Sequence, residues 1–258
     1  MNAKKPNKGP FDITDFGYQT VAKDEKIGMV RDLFDGVSNK YDLMNDIMSA
    51  GVHRRWKHQM IDRLNPSPGM TLLDMAGGTG DISSRFLKRI GKKASGKAII
   101  CDLSEGMVRT GRERLWDSGI LSGIDWIVGD AENIPLNNSS VDAYTIAFGI
   151  RNVTNKEKAL EEAARVIKPG GRFLCLEFSP TTTPLIEQLY RLYSFVVIPT
   201  IGAIVAKDRD AYSYLVESIR KFPPPEIFGN MITESGFGGV KWQSLSGGIA
   251  AIHSGWRL

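Results

Sequence analysis

Cysteine and histidine are scarce: two Cys and three His among 258 residues. Cys101 and Cys175 each lie inside an apolar, strand-like run. They read as reduced core residues, not as a disulfide framework, and point to a reducing compartment. His53, His58 and His253 fall in no His/Cys/Asp cluster with metal-ligand spacing, so no metal site is expected. A large excess of one charge is missing too. Lys and Arg number 33 against 29 Asp and Glu, and a net +4 is too small to imply nucleic acid. No uninterrupted apolar run reaches transmembrane length. There is no internal repeat and no long linker. The polar, basic first ten residues, with Lys4, Lys5 and Lys8, are not followed by the apolar run of a secretory signal. Asp12, Asp15 and the lack of arginine before Arg31 argue against an organelle transit peptide. Residues 1–15 read as a flexible tail. The expected location is cytoplasmic. What is present is an ordinary composition, long enough to bury one full α/β core.

One stretch organises the rest: Thr71-Leu72-Leu73-Asp74-Met75-Ala76-Gly77-Gly78-Thr79-Gly80-Asp81, followed by Ile82, Phe86 and Ile90 at helical spacing. That is strand, glycine-rich turn, helix. The helix start offers free N–H groups and a positive dipole end to a ligand in the turn. A dinucleotide loop reads Gly-x-Gly-x-x-Gly, whereas here the spacing is Ala76-x-Gly78-x-Gly80, with Asp74 on the strand end. A pyrophosphate is repelled by that carboxylate, while a cofactor carrying an ammonium or sulfonium is attracted. S-adenosylmethionine carries both. A plain tight turn is the alternative for this stretch taken alone.

Residues 16–64 read as an N-terminal helical cap, with Val30, Leu33, Phe34 and Val37 at 3/4 spacing and a second helix from near His53. Between them, Tyr41 stands out, since a tyrosine beside a sulfonium offers a polarised ring face and a hydroxyl. Its neighbours suit a helix–loop–helix cap with Asx residues. The basic run His53–His58 reads as a solvated face, or alternatively as a contact for anionic lipid headgroups.

A second strand, Lys97–Asp102, delivers Asp102 where a carboxylate can accept from both ribose hydroxyls. The competing reading is a cap for the helix beginning near Ser104. Met107 is core filler or a soft lid over adenine. Asp130, just past a third strand at Asp125–Val128, either accepts from an adenine amino group or serves turn chemistry alone. A fourth strand, Val141–Phe148, ends at Gly149-Ile150-Arg151-Asn152-Val153. Ligands in open α/β sheets sit outside the carboxyl ends of strands, so Arg151 and Asn152 face the site unless they form a rim salt bridge. Thr154-x-x-Glu157 reads as a capping box for a helix that Lys168–Gly171 ends, and a fifth strand runs Arg172–Phe178 with Glu177 near its carboxyl end.

Residues 181–235 read as a helical insertion. Its apolar part, interrupted by Arg191 and Pro199, is either a lid for a greasy substrate or ordinary core. Val240–Leu245 and Ile249–Trp256 form strands joined tightly at Gly247-Gly248, which requires an antiparallel pair. A dinucleotide fold keeps its sheet parallel there. The pattern as a whole predicts a Rossmann-like α/β domain over 65–258, with a seven-stranded, mostly parallel sheet and a C-terminal antiparallel hairpin.

Several of these stretches resemble one family, the ubiquinone/menaquinone biosynthesis C-methyltransferases of the class I S-adenosylmethionine-dependent group. Tyr41-Asp42-x-Met44-Asn45 with Ser49, His53 and Trp56 is similar to its first motif. Arg165 through Gly171 and on to Leu176-Glu177-Phe178-Ser179 resembles its second. The Asp74–Asp81 loop, Phe148–Asn152, and Tyr212-x-Tyr214-Leu215 with Ser218, Ile219 and Phe222 also match. The resemblance runs from about residue 16 to the C terminus. Ala147 stands where some members carry serine, a departure from the pattern at a backbone contact to the cofactor.

The resemblance implies methylation of a ring carbon on a polyprenylated quinol, either a demethyl-benzoquinol or a demethylmenaquinol. It implies S-adenosylmethionine held by Asp74, Gly77, Gly78, Thr79 and Gly80 at its methionine end, Asp102 at the ribose, and Asp130 and Ala131 at the adenine. Arg151, Asn152 and Tyr41 are the catalytic candidates it implies. It also implies peripheral contact with a membrane or a quinone-biosynthesis complex, and leaves a homodimer open. The rival readings are a methyltransferase for a sterol-like or phenolic oxygen, and a cofactor-binding scaffold without catalysis. Asp74, the loop spacing and the terminal hairpin disfavour a nicotinamide dehydrogenase.

Overall fold

The computed structural model describes residues 13–37, 45–46, 49–91, 95–180 and 209–258. Tyr41 and residues 181–208 of the insertion lie outside the described residues.

A two-stranded hairpin, β1 (Ile13–Phe16) and β2 (Gln19–Ala22), opens the described chain and leads into α1 (Lys23–Val37). Helical periodicity alone did not anticipate this hairpin, whose strands are only four residues long. Its docking explains it: the Phe16 ring stacks on Tyr214 with centroids 4.2 Å apart, and the Tyr18 N–H donates to Glu217. Next comes α2 (His53–Leu64), which buries Trp56, Met60, Ile61 and Leu64 on one stripe. Asn65, in the left-handed conformation, ends it by donating its N–H to the Ile61 carbonyl.

The main sheet is built from β3 (Thr71–Met75), β4 (Lys97–Asp102), β5 (Ile124–Val128), β6 (Val141–Ala147), β7 (Ile167–Phe178), β8 (Phe237–Leu245) and β9 (Ala250–Arg257). Their spatial order is β5-β4-β3-β6-β7-β9-β8. The first five are parallel, and β9 runs antiparallel to both β7 and β8. This is the seven-stranded sheet with a terminal hairpin that the sequence predicts. The turn between the last two strands is made by Gly247 at φ 72°.

The remaining helices are α3 (Asp81–Ile90), α4 (Glu105–Asp117), α5 (Lys156–Val166), α6 (Arg209–Lys221) and α7 (Pro225–Glu234). Strand residues alternate between two cores. Leu72, Ala143, Leu174, Leu176 and Phe178 join α2, α3 and α6 on one face. Leu73, Tyr144, Ile146, Phe173 and Cys175 join α5 and α7 on the other. Both faces are covered, which is why the parallel strands read as continuous apolar runs. Each fully buried ring, such as Phe86 or Phe173, contributes roughly 2–3 kcal/mol. Cys101 and Cys175 are free and buried in these strands.

Several boundaries differ from the sequence reading; β8, for one, begins at Phe237 instead of Val240. The cap of α5 is Asn155, whose side chain accepts from the Lys158 N–H at 3.0 Å, one residue after the predicted Thr154. Strand β7 begins at Ile167 instead of Arg172, because Ile167 already pairs with Val141 before a register shift.

Candidate active site

Chain order carries β3 to β5 outward on one side and β6 to β9 on the other. The reversal falls between β3 and β6, so a crevice opens at their carboxyl ends. The loops leaving these strands touch there. A Cβ on Gly149 would lie 2.5 Å from the Ala76 Cβ, so only glycine allows this approach. Gly80, at φ +76°, starts α3, and a Cβ there would meet Ile100 and Leu115 at 2.9 Å. The glycine-rich turn is therefore pressed tightly onto β4 and α4.

Two acids hold this turn. Asp102 at the end of β4 accepts the Gly78 N–H on one oxygen and the Ser104 N–H on the other, both at 2.9 Å. It thus steadies the glycine turn and the entry to α4 at once. Ser104 is the cap proper, accepting from the Met107 N–H at 3.0 Å. Each Asp102 oxygen keeps a lone pair with which it can accept from a ribose diol. Asp74, 1% exposed, turns inward and does not line the crevice. Its carboxylate accepts from Ser83 N–H at 3.1 Å, Ser83 Oγ at 2.8 Å and Thr145 Oγ1 at 3.0 Å. It pins the first turn of α3 to β3 and β6. Burial pushes both carboxyls up to about 6, against the hydrogen bonds that favour ionisation.

The crevice spans about 710 Å3 when the space open to solvent is counted. Ala76, Asp102, Met107, Asp130, Ala131 and Asn152 all line it. Asp130 uses one oxygen to accept the Glu132 N–H at 2.9 Å. The opposite wall is α1, through Ile27, Val30, Arg31 and Phe34. Asp35 docks that wall onto the start of α4, accepting from the Ser104 hydroxyl and from the Gly106 N–H at 3.1 Å. Sequence periodicity marks Val30 and Phe34 as apolar but does not say that they face a ligand space.

The other site candidates stand behind the lining. Gly77, Gly78, Thr79 and Gly80 form the turn itself, and Thr79 accepts from Arg114 at 3.2 Å. Ala147 pairs with Leu176 inside the sheet. Arg151, 5% exposed, does not line this crevice. Its Nη1 donates to Glu177 Oε1 at 2.7 Å and to the Phe148 carbonyl at 2.6 Å, and its N–H donates to Glu177 Oε2 at 3.3 Å. Burial raises the Glu177 carboxyl and Arg151 opposes that shift. Asn152, next in the Ile150–Asn152 turn, accepts from the Tyr214 hydroxyl at 3.0 Å. Tyr214 is thus tied to the site from α6, a link that no local spacing signals. Among the described residues no His/Cys/Asp/Glu group could hold a metal.

The ubiE/COQ5 methyltransferase family matches residues 19–257. A ubiquinone/menaquinone biosynthesis C-methyltransferase UbiE of Cereibacter sphaeroides is 55% identical over 95% of this chain and 97% of its own length. A mitochondrial 2-methoxy-6-polyprenyl-1,4-benzoquinol methylase of Danio rerio is 48% identical, over 95% of this chain and 84% of its own. Among solved structures, an S-adenosylmethionine-dependent methyltransferase from Aquifex aeolicus is similar in fold, with a TM-score of 0.53. It is 20% identical and the match covers 78% of this chain and 89% of that one, a likeness of fold alone.

Proposed function

Because the chain belongs to the ubiE/COQ5 methyltransferase family, we propose that it methylates a ring carbon of a polyprenylated quinol, a demethyl-benzoquinol or a demethylmenaquinol. The observation that supports this most is the crevice at the β3/β6 reversal, where Asp102, Met107, Asp130 and Asn152 converge. Its residues fit S-adenosylmethionine. Asp102 would accept from the ribose, Asp130 and Ala131 would meet the adenine edge, and Met107 and the α1 wall would cover its faces. The methionine end would lie against the Ala76–Gly80 turn, with Asp74 acting from behind through Ser83 and Thr145. When bound, the cofactor supplies a methyl group activated by its sulfonium.

The acceptor carbon must be electron-rich. A quinol qualifies, more so as its phenolate, and the oxidised quinone does not. The work left to this chain is to align the ring carbon with the methyl, exclude water and handle a proton. Arg151 stays protonated and cannot serve as a ready base. Its role is to stabilise the phenolate or orient a water, with Glu177 fixing the guanidinium. Asn152, held by Tyr214, orients the acceptor. Tyr41 completes the catalytic set by its match to the family motif, and the 181–235 insertion takes the prenyl tail. A polyprenylated acceptor partitions into lipid, so peripheral contact with a membrane or a quinone-biosynthesis complex belongs to the same reading. Among the described residues no helix is long and apolar enough to cross a membrane.

The test is transfer of labelled methyl from S-adenosylmethionine to short-tailed demethylated quinols, reduced and oxidised, benzenoid and naphthalenoid. Turnover of reduced rings only is expected, and the preferred ring names the acceptor. Tight cofactor binding with no transfer to any of them overturns the proposal in favour of a scaffold or another acceptor.

A further inference from the structure

A second cavity, about 400 Å3 when the space open to solvent is counted, lies among the β1–β2 hairpin, α1, the Ile150–Asn152 turn, the start of α5, and α6. Its charged lining is nearly of one sign: Lys26, Arg151, Lys156 and Lys221, against Asp15. Asp15 is paired with Lys221 at 3.3 Å. Glu177, outside the lining, is paired with Arg151 at 2.7 Å. Asp15 and Glu132 both act on the two remaining lysines at a distance, Glu177 acts on Lys156 as well, and Glu132 also accepts the Asn155 N–H at 2.8 Å. Glu157 also favours the charge on Lys156.

That leaves Lys26 and Lys156, from two helices, meeting over a single neutral acceptor. The Val153 carbonyl lies 3.5 Å from the Lys26 ammonium and 3.2 Å from that of Lys156. Among the described residues neither forms an ion pair. Lys26 is 3% exposed. Burial first, and Lys156 second, bring its ammonium down to about 8. Beside them, the buried Nε of Arg151 has no hydrogen-bond partner among the described residues. A buried ammonium, a half-buried one beside it and an unfilled charged donor raise the free energy of the empty cavity, and one anion relieves all three.

We infer that this cavity is an oxyanion site, in which Lys26, Lys156 and the Nε of Arg151 hold one oxygen-bearing anionic group. The same chemistry has two sources. One is a free ion of the phosphate class. The other is the ionised phenol oxygen of the acceptor, and this source rests on the proposed function. The cavity shares the Ile150–Asn152 turn with the cofactor crevice, and Tyr214, in its lining, holds Asn152. An anion here therefore sits next to the groups assigned to the acceptor.

The experiment uses the full chain and its Lys26→Met, Lys156→Met and Lys26→Arg variants. Inorganic phosphate is titrated calorimetrically at constant ionic strength. In parallel, para-nitrophenol is added at fixed pH and its phenolate absorbance band is read. Cofactor affinity, measured separately, reports folding and should be unchanged, because neither lysine lines the crevice. Tight phosphate binding, weakened at least about tenfold in both Met variants and restored in Lys26→Arg, supports a free-ion site. Growth of the phenolate band on binding, lost in both Met variants, supports the acceptor's own oxygen. If neither probe binds, or if binding is unaltered in the Met variants, the inference is overturned. Methyl transfer to quinols would then still stand or fall by its own assay.

Discussion

Two cavities share one short turn and differ in charge. The crevice at the β3/β6 reversal is lined by Asp102, Asp130, Glu132 and apolar side chains, with Arg31 at its edge. The cavity beside it is lined by Lys26, Arg151, Lys156 and Lys221, with Asp15 as its single acid. The first suits a ligand bearing positive charge and a flat ring. The second suits an oxyanion. Asn152 lines the one and Arg151 the other, so adjacent residues of one helical turn face the two cavities. Methyl transfer from a sulfonium to a phenolate needs both polarities close together.

The largest effect should come from the acidic side. Asp102→Ala removes the acceptor of the Gly78 and Ser104 N–H groups together with the ribose acceptor. Two charge-assisted hydrogen bonds at about 1.5–3 kcal/mol each imply cofactor affinity lower by about two to four orders of magnitude. Calorimetry reads this directly, and unchanged affinity would remove the crevice as the cofactor site. Anion binding in the second cavity should survive the change.

On the basic side, Arg151→Ala should lower turnover by about a hundredfold while leaving cofactor affinity close to that of the parent. Full turnover in this variant would end its catalytic assignment. A shift confined to cofactor affinity would mean that the two cavities do not divide the work as described.

A smaller effect is expected from pH. Asp102 is held near 6 by burial, and a ribose is accepted best by the ionised carboxylate. Binding therefore favours the deprotonated form and weakens as pH falls through about 6. From pH 7 to pH 5 the loss should be about tenfold. Asp102→Asn should bind more weakly throughout and lose this dependence, and an unchanged slope would point to another group.

The smallest effect should be that of Tyr214→Phe. It removes one hydrogen bond, to Asn152, of about 1 kcal/mol. A few-fold rise in the quinol KM with cofactor affinity unchanged would place Asn152 on the acceptor side. The opposite pattern would tie it to the cofactor alone.

Much of this was legible along the chain. The strand, turn and helix around Asp74 to Asp81 could be read because close backbone approach demands small residues at fixed offsets. Both reading and structure bring Asp102, Met107, Asp130, Ala131 and Asn152 to one crevice, each following a strand end. Of the two roles that competed for Asp102 in the sequence, Ser104 takes the helix cap, while Asp102 holds the Ser104 N–H and keeps lone pairs that can accept from a ribose. Less legible was the direction of a side chain. Asp74 and Arg151 sit at strand ends like their neighbours, yet Asp74 turns inward to Ser83 and Thr145, and Arg151 to Glu177.

The order of the main-sheet strands, the antiparallel ending and the glycine turn can be read along the chain, because periodicity and steric demands are local. Only the tertiary structure decided that α1 walls the crevice and that the Ile13–Ala22 hairpin docks on α6. It alone joined Lys26, Arg151, Lys156 and Tyr214 around one cavity. Lys26 and Tyr214 are far in the chain from the Arg151–Lys156 stretch, and their meeting depends on how buried faces pack, which no local spacing records.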